Sequence, residues 1–291
     1  MQKIEFKKNI FPIKDPVYQY VDMHIHTEYS SDCSMSVKEI IKYAKKLNIG
    51  VAITDHNEIE GAVRAYEYAK NFDVLLIPGI EVHCAEGTHI ILYFYDIIEL
   101  KSFYREIIVC NKTQDPFERI RLSFFEILEK KNHYKCLVSI PHPYVKAFVG
   151  LRAIKNKKDF WQDVNLIETL NSCVRRKANL KALKQAESKN LVMVGGSDAH
   201  FMFEIGLSLT KTKGFNTSNF LLELQNSKSA VVGQELNFMK TLGVGFVKEY
   251  RLFKSCLKNH NLIFRFKVML MTFLPYLFKK IDFKILPPKI K

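Results

Sequence analysis

Paired cysteines, a secretory leader and a long uninterrupted apolar run are all missing from this sequence. Its six cysteines are scattered over 291 residues without a Cys-x-x-Cys pair. This spacing argues against a disulfide framework and against a zinc knuckle, and it favours a reducing compartment. The first sixteen residues alternate lysines with apolar residues and lack the continuous apolar core of a secretory signal. We therefore expect a cytoplasmic protein.

Acidic residues are scarce towards the C-terminus. Residues 246–291 contain eleven Lys and Arg against only Glu249 and Asp282, a net charge of +9, whereas the whole chain carries +14. The preceding body therefore carries only about +5. Because composition changes near Gly243 and Gly245, we predict a body over residues 1–245 and a basic, apolar helical tail over residues 246–291.

The tail has the pattern of a basic amphipathic helix. Polar and basic residues recur at spacings of three, four and seven, which places them on one stripe at 3.6 residues per turn. The apolar run from Leu262 is interrupted by Arg265, Lys267 and Pro275, so it falls short of the ~20 apolar residues that a spanning helix needs. The stripe consists of Arg251, Lys254, Lys258, Asn261, Arg265 and Thr272.

Two interpretations of this tail stay open. Residues 251–278 can lie on an anionic membrane surface as a peripheral contact. Alternatively, the helix packs on the body, and its basic stripe faces solvent or nucleic acid. We favour packing, because so many large apolar side chains exposed to water would promote aggregation.

Within the body, apolar β-branched runs alternate with segments of helical periodicity, a pattern typical of βα units and a mostly parallel sheet. In the first predicted helix Val37, Ile41 and Leu47 share an apolar face, and Ser36 with Glu39 predicts a capping box at its start. Predicted strands cover residues 51–54, 74–77, 90–94, 137–140, 166–170, 191–194 and 230–232. Predicted helices cover residues 59–70, 115–131, 175–189 and 219–225.

A pair of histidines ends the first apolar run. Side chains alternate along an extended segment, so His24 and His26 point the same way and can hold one cation between them. Two histidines at this spacing are weak evidence taken alone, because most such pairs are ordinary residues.

Further acid and imidazole groups are predicted just beyond the C-terminal ends of later strands. These are Asp55, His56, Glu81, His142, Asp198 and His200. Parallel barrels build their sites at this position, because all the strand ends converge on one face. The repeated placement predicts a multinuclear metal site, with Asp55 orienting His56 and not binding metal.

The motifs that carry these residues resemble those of the PHP (polymerase and histidinol phosphatase) family. They are His24-Ile25-His26, Thr54-Asp55-His56, Pro78-Gly79-Ile80-Glu81, Ile140-Pro141-His142-Pro143 and Gly196-Ser197-Asp198-Ala199-His200. The resemblance covers roughly residues 20–235. It implies an α/β fold, a distorted TIM-like (β/α)7 barrel, to which the basic amphipathic tail is added as an extension. It also implies phosphoester hydrolysis with two or three divalent cations, Zn, Mn or Fe.

The resemblance also implies a ligand set, residue by residue. The first ion would be held by His24, His26, Glu81 and Asp198. The second would be held by Glu81, His89 and His142, and the third by Asp32, His56 and His200. Glu81, Asp198 and His200 are the residues expected to act in catalysis.

The chemistry of such a cluster follows from its donor atoms. A carboxylate such as that of Glu81 can bridge two cations with its two oxygens, and imidazoles complete a site of borderline softness. Cations ~3.5–4 Å apart lower the pKa of a bridging water and clamp the phosphate, so that hydrolysis proceeds in line. A nearby imidazole or a second water can protonate the leaving oxygen. No nucleophilic side chain is required.

Substrate contacts are predicted outside the ligand set. His83 shares a strand face with Glu81 and is a candidate for contacting substrate or supporting the ligands. Arg175 and Arg176 follow Asn171 and Ser172 beyond a strand end, so one guanidinium could fork onto a second phosphate. Solvent-exposed arginines at the start of a helix are an equally open interpretation.

Two classes of function remain. The complete ligand set favours a metal-dependent phosphoesterase, a phosphatase or exonuclease, and the resemblance to stand-alone family members favours nucleotides or short nucleic acid ends as substrate. A histidinol-phosphate-type small-molecule phosphatase is the alternative enzyme. A non-catalytic accessory module, held together by metal and recruited through its tail, is the alternative class.

Overall fold

The computed structural model describes residues 3–113, 119–145, 149–154 and 159–237, with Gly243, Val247, Tyr250 and Arg251 from the C-terminal segment. The strands are β1 Lys3–Phe6, β2 Gln19–Ile25, β3 Gly50–Ile53, β4 Leu76–His83, β5 His89–Phe94, β6 Cys136–Ile140, β7 Leu166–Asn171, β8 Val192–Gly196, β9 Ser208–Thr212 and β10 Ala230–Gly233. The helices are α1 Val37–Leu47, α2 Glu60–Phe72, α3 Ile97–Phe103, α4 Phe124–Lys130, α5 Arg176–Lys189 and α6 Thr217–Gln225. Apart from Arg251, the predicted amphipathic stripe of the tail lies outside the described residues.

The strands form one curled sheet in the order β1-β10-β9-β2-β3-β4-β5-β6-β7-β8. The seven strands from β2 to β8 curl so far that the C-terminal end of β2 contacts the segment that follows β8. There the His26 N–H donates to the Ala199 carbonyl at 3.1 Å, and the Ala199 N–H donates to the His24 carbonyl at 3.3 Å. The fold is therefore the predicted α/β, distorted TIM-like barrel, flanked at β2 by β9, β10 and β1.

Strand direction departs from the sequence prediction. The pairs β2–β3, β3–β4, β6–β7, β7–β8 and β1–β10 are parallel. The pairs β4–β5, β5–β6, β2–β9 and β9–β10 are antiparallel. A parallel connection needs a crossover of about a dozen or more residues, and the short link 84–88 can form only a hairpin. The sheet is thus mixed, and the expectation of a mostly parallel sheet was wrong around β5.

The first helix was predicted well except at its cap. All five residues of its apolar face are buried: Val37, Ile40, Ile41, Ala44 and Leu47. Ser36 is the N-cap residue but makes no side-chain capping hydrogen bond. Instead the Glu28 carboxylate accepts from the Val37 N–H at 3.4 Å, so the predicted capping box was wrong. A contact from a distant loop replaces the local one.

The helix predicted over residues 115–131 begins later. Its N-cap is Ser123, and a capping box with Glu126 satisfies the first free N–H groups of α4. Asp115 and Pro116, on which the earlier start was based, lie outside the described residues. The polar strand β9 and the strand β1 were missed, because neither has the apolar run that marks a buried strand.

The side chains that point into the barrel form both its apolar core and the candidate functional site. Ile77 and Leu166 belong to a buried apolar cluster, and they share strand faces with Glu81 and Glu168, which lie an even number of residues away. The carboxylates therefore continue the interior face of the barrel next to a buried apolar layer. Within the part of the chain that the structure describes, no helix is both long enough and apolar enough to cross a bilayer.

Candidate metal centre

The strands bring all nine predicted metal ligands to one end of the barrel. His26 follows β2, His142 follows β6, and Asp198 and His200 follow β8. His89 begins β5, which is antiparallel to β4 and pairs His89 with His83, so the N-terminal end of this strand lies at the same face. His24 and Glu81 lie within β2 and β4. The prediction that His24 and Glu81 lie just beyond strand ends was therefore wrong.

Glu81 is the hub of the cluster. Its side chain is buried, and each carboxylate oxygen lies close to several imidazole nitrogens. Oε2 is 3.3 Å from Nε2 of His24 and of His26, and 3.1 Å from Nδ1 of His56. Oε1 is 2.8 Å from Nδ1 of His89 and 3.1 Å from Nε2 of His142. A carboxylate shared in this way between two sets of imidazoles is placed to bridge two cations.

A second group of donors forms next to the hub. Donor atoms of His26, Asp32, His56 and His200 all lie within 4.8 Å of one another. Oδ2 of Asp32 is 2.9 Å from Nε2 of His200 and 3.7 Å from Nε2 of His56. Two further groups, His24 with His26 and Glu81, and His56 with Glu81 and His89, meet the same distance limit.

Asp198 lies between these groups. Its Oδ1 is 3.5 Å from Nε2 of His26 and 3.6 Å from Nδ1 of His200. The backbone of Asp198 is left-handed, with φ of 56°, and that of His142 has φ of 29°. Non-glycine residues rarely adopt such values, and the strain persists only where surrounding structure holds it, as it does at functional sites.

Burial and charge act in opposite directions on the hub. Burial raises the pKa of Glu81, but the surrounding imidazoles outweigh it and hold that pKa well below its usual range. Burial likewise lowers the pKa of His24, but Glu81, Glu168 and Asp198 outweigh it and raise the pKa well above the usual value. Burial lowers the pKa of His89 to about 4. Within the cluster the imidazoles therefore differ, since the pKa of His24 is raised and that of His89 is lowered.

The arrangement of the donor atoms suits bound divalent cations better than it suits hydrogen bonds among the side chains themselves. Nε2 of His24 and Nε2 of His26 lie 3.1 Å apart, and each lies 3.3 Å from Oε2 of Glu81, so the three donor atoms are close enough together to hold one cation. Asp32 Oδ1 and His89 Nε2 are buried without a hydrogen-bond partner within the described ranges, which is costly unless another group satisfies them. Imidazole nitrogens mixed with carboxylate oxygens suit Zn, Mn or Fe.

Glu168 is a site residue that the sequence analysis missed. Its Oε1 lies 3.1 Å from Nδ1 of His24, and its Oε2 accepts from the His142 N–H at 2.7 Å and from Asn171 Nδ2 at 2.9 Å. It therefore orients the ring of His24 and holds the backbone of His142. A Cβ at Gly196 would lie 2.4 Å from the His24 Cβ and 2.6 Å from Glu168 Oε1. A charged glutamate within the predicted strand 166–170 was the signal that could have identified it.

Asp55 holds a loop beneath the cluster. Its Oδ1 accepts from the Thr27 N–H at 2.6 Å and from Ser30 Oγ at 2.9 Å. Ser30 Oγ in turn lies 3.1 Å from Nδ1 of His26 and accepts from the His56 N–H at 3.1 Å. Burial raises the pKa of Asp55. Asp55 thus positions His26 and His56 through Ser30, an orienting role of the kind predicted for it.

The three predicted substrate residues are placed differently. The His83 ring packs edge-on against His89, with centroids 4.4 Å apart, and lies 6.4 Å from His56, so it belongs to the centre. Arg176 forks onto Glu235 with two contacts of 2.5 Å and covers the Phe6 ring. It would have to leave this carboxylate to bind a phosphate. Arg175 is the N-cap residue of α5.

Comparison with known proteins identifies the family. A model of the PHP domain matches residues 22–227, which include every predicted ligand. The chain belongs to the PHP domain family. Membership, together with the clustered imidazoles and carboxylates, supports metal-dependent phosphoester hydrolysis.

Individual similar proteins are found by sequence and by fold. The chain is 28% identical over 233 residues to an uncharacterised protein of Methanocaldococcus jannaschii, covering 76% of this chain and 85% of that protein. It resembles a two-domain protein of Bacteroides vulgatus containing a predicted PHP-like metal-dependent phosphoesterase, with TM-score 0.57, 16% identity, and 85% and 74% coverage. It also resembles a lesion-specific endonuclease of Pyrococcus furiosus, with TM-score 0.59, 15% identity, and 82% and 71% coverage.

Proposed function

We propose that this PHP-family protein hydrolyses phosphoesters with two or three divalent cations, Zn, Mn or Fe, held by the nine residues of the centre. The observation that carries the proposal is the position of Glu81, whose two oxygens contact five imidazoles that belong to or follow four different strands. When bound, the cations would lower the pKa of a water and neutralise charge on the phosphate oxygens.

The protein's own residues then have distinct tasks. Glu81 connects the imidazoles near its Oε2 with the imidazoles near its Oε1. Asp198 and His200 connect these imidazoles to the donor group around Asp32. Glu168 keeps the His24 ring fixed by its contact with Nδ1, because an imidazole ligand needs an orienting partner on its second nitrogen. Burial, together with the neighbouring His89 and His56, lowers the pKa of His83 well below its usual value. Its ring is therefore neutral and can hydrogen-bond substrate.

We propose nucleotides or short nucleic acid ends as substrate. The fold similarity to a lesion-specific endonuclease and the formal charge of +14 support a polyanionic substrate. A histidinol-phosphate-type substrate remains the alternative enzyme activity. The accessory-module alternative fits less well, because all nine predicted ligands are present and close together. We also propose that the protein acts in the cytoplasm and that its domain boundary lies near residue 245.

The test begins with protein stripped of metal by a chelator. Release of p-nitrophenol from p-nitrophenyl phosphate and from its bis-ester should return when Mn or Zn is added. Glu81→Gln should abolish the returned activity, whereas Glu5→Gln, on the outer strand β1, should not change it. Normal turnover by Glu81→Gln at saturating metal would overturn the proposal.

A further inference from the structure

The basic charge of the body is concentrated on one helix. Residues 175–189, which form α5 and its N-cap, contain six Lys and Arg against Glu187 alone, a net charge of +5. The whole body, residues 1–245, also carries +5, so the rest of the body has no net charge. A polyanion that approaches the body is therefore attracted mainly to α5.

Three of these charges form a stripe along the helix, named here the α5 stripe. Lys177, Lys181 and Lys184 are exposed, and spacings of four and three residues place them on one side of α5. Arg176 is neutralised by Glu235. The three lysines, in contrast, form no ion pair within the ranges that the structure describes. Their ammonium groups can therefore bind anionic groups of a partner.

Helix α5 is fixed to a strand that carries part of the metal centre. The side chain of its buried Asn179 accepts from the Asn171 N–H at 3.2 Å and donates to the Asn171 carbonyl at 3.0 Å. Asn171 is the last residue of β7, and its own side chain donates to Glu168 at 2.9 Å. The helix thus begins at the metal centre, and the α5 stripe runs away from the centre, starting with Lys177 in the first turn.

A second contact joins the middle of the α5 stripe to the segment of a predicted ligand. Tyr144 lies two residues after His142 in the chain. Its OH donates to Gln185 Oε1 at 2.8 Å, and the Lys181 ammonium lies 4.2 Å from the centre of its ring. The stripe therefore borders the segment that carries the ligand His142.

The length and the surroundings of the stripe specify the partner. At 1.5 Å per residue the stripe covers about 10 Å of helix, and phosphates of one DNA strand follow one another about every 3.4 Å along a duplex. The stripe therefore matches about three consecutive phosphates, more than a mononucleotide carries beyond the centre. A membrane surface fits less well, because the opposite side of α5 is buried in the body and offers no apolar face to lipid.

We propose that the α5 stripe is a nucleic-acid contact surface, which binds the phosphate backbone of the strand next to the scissile phosphate. This proposal rests on the phosphoesterase function proposed above. It names the substrate class as an oligonucleotide, in place of a mononucleotide or a small phosphorylated metabolite. Because the lysines contact phosphates and not bases, binding at the stripe depends on salt and not on base sequence.

Esters with one leaving group test the surface. One is methyl p-nitrophenyl phosphate, and the others are oligothymidylates of about twelve nucleotides with the p-nitrophenyl ester on the terminal 5′-phosphate or 3′-phosphate. Wild-type kcat/KM should be higher for an oligonucleotide ester than for the methyl ester, and this ratio should fall as salt rises. Changing all three lysines of the stripe to Gln should lower the ratio about tenfold at low salt. The methyl ester should be hydrolysed as before.

Helix α1 supplies a matched control. Its exposed residues Lys38, Lys42 and Lys45 repeat the spacings of four and three residues, and α1 follows the loop that carries the ligand Asp32. Changing these three lysines to Gln removes the same charge and leaves the tail in place, as the α5 variant does. The α1 variant should keep the wild-type ratio. Equal losses in the two triple variants would show that net charge alone attracts the strand, and would overturn the assignment to α5.

Failure of the surface differs from failure of the phosphoesterase function. If wild-type protein hydrolyses the methyl and oligonucleotide esters with equal kcat/KM, the surface is wrong and the phosphoesterase function stands. If it hydrolyses no ester with Zn, Mn or Fe, the function is wrong, and binding then decides the surface.

Binding is measured by fluorescence anisotropy of a labelled oligothymidylate with the full chain in chelator, where no cleavage occurs. The α5 variant should make the slope of log K against log salt shallower by about 2, since a single strand contributes about 0.7 per phosphate contact. An unchanged slope overturns the surface. If the α5 variant weakens co-sedimentation with anionic vesicles and leaves oligothymidylate binding unchanged, the partner is a membrane and the proposal is wrong.

Discussion

At the scale of single residues, the centre depends on groups that orient the ligands as much as on the ligands. Glu168 contacts Nδ1 of His24 and the N–H of His142, and Gly196 leaves the space in which that carboxylate meets His24. Removing an orienting partner leaves the ligand atoms present but lets their rings rotate. Metal affinity then falls, because a smaller fraction of the molecules has its imidazole rings in the orientation that binds the cation.

We predict that Glu168→Gln lowers metal affinity about 10- to 100-fold. The amide keeps the size of the side chain but loses the charge that fixes the His24 ring. Metal content measured by elemental analysis after dialysis against graded free Zn checks the result. Glu223→Gln, on α6, is the control, and equal metal retention by both variants would remove Glu168 from the centre.

A second prediction concerns pH. In metal-free protein Glu81, Glu168 and Asp198 raise the pKa of His24 above 6.5 despite its burial. Its imidazolium therefore stabilises the fold fully below about pH 6.5, and this contribution is lost as pH rises through the raised pKa. Cation binding must displace the same proton. Metal affinity should accordingly rise with pH until His24 is neutral.

Calorimetry in buffers of different ionisation enthalpy measures the protons released. We expect release near neutral pH in wild-type protein and smaller release in His24→Ala. His89 should contribute none, since burial lowers its pKa to about 4. Proton release that is independent of His24 would contradict the assignment.

At the scale of elements, the first turn of a helix can be capped either by a neighbouring side chain or by one from a distant segment. Ser123 and Glu126 cap α4 by contacts within three residues. At α1 the Ser36 side chain makes no cap, and the distant Glu28 carboxylate contacts the Val37 N–H. Both serines begin the same sequence pattern, Ser-x-x-Glu, so tertiary contacts decide which of them acts.

The two serines form a matched pair for a stability measurement. We predict that Ser123→Ala lowers the free energy of unfolding by about 1 kcal/mol, the usual cost of losing an N-cap. Ser36→Ala should change it by less than about 0.5 kcal/mol, because no side-chain cap bond is lost. Urea denaturation of metal-free protein compares them. A larger cost at Ser36 would contradict the contacts seen at α1.

At the scale of the whole molecule, the C-terminal segment reaches the metal centre through Arg251. This residue lies 219 positions from Asp32 in the chain and contacts its carbonyl. Residues 252–291 lie outside the described part, so the packing of the tail on the body stays a prediction. Whether the tail also contacts membrane is a separate prediction.

We predict that a chain ending at Gly245 keeps its metal content and its turnover of methyl p-nitrophenyl phosphate, since no ligand is lost. Co-sedimentation of the intact protein with anionic vesicles at low and high salt tests the membrane alternative. Salt-sensitive pelleting would contradict the packing interpretation, and no pelleting would contradict membrane binding.

The sequence by itself determined the ligand candidates, the buried face of α1 and most strands. These follow from local chemistry: residue types that bind metal, and apolar periodicities of 2 and 3.6 residues. It also allowed the barrel and the family to be predicted, because the motifs succeed one another in order along the chain.

Only the tertiary structure decided the antiparallel course of β5, the orienting role of Glu168 and the position of Arg251 beside Phe201. His24 and Glu168 are in contact although they lie 144 residues apart in the chain. Arg176 contacts Glu235, which lies 59 residues away. No local periodicity encodes such pairs, since they arise when strands curl and bring distant segments to one face. The ligands could thus be predicted from the sequence, whereas the contacts that hold them in place depend on the curled sheet.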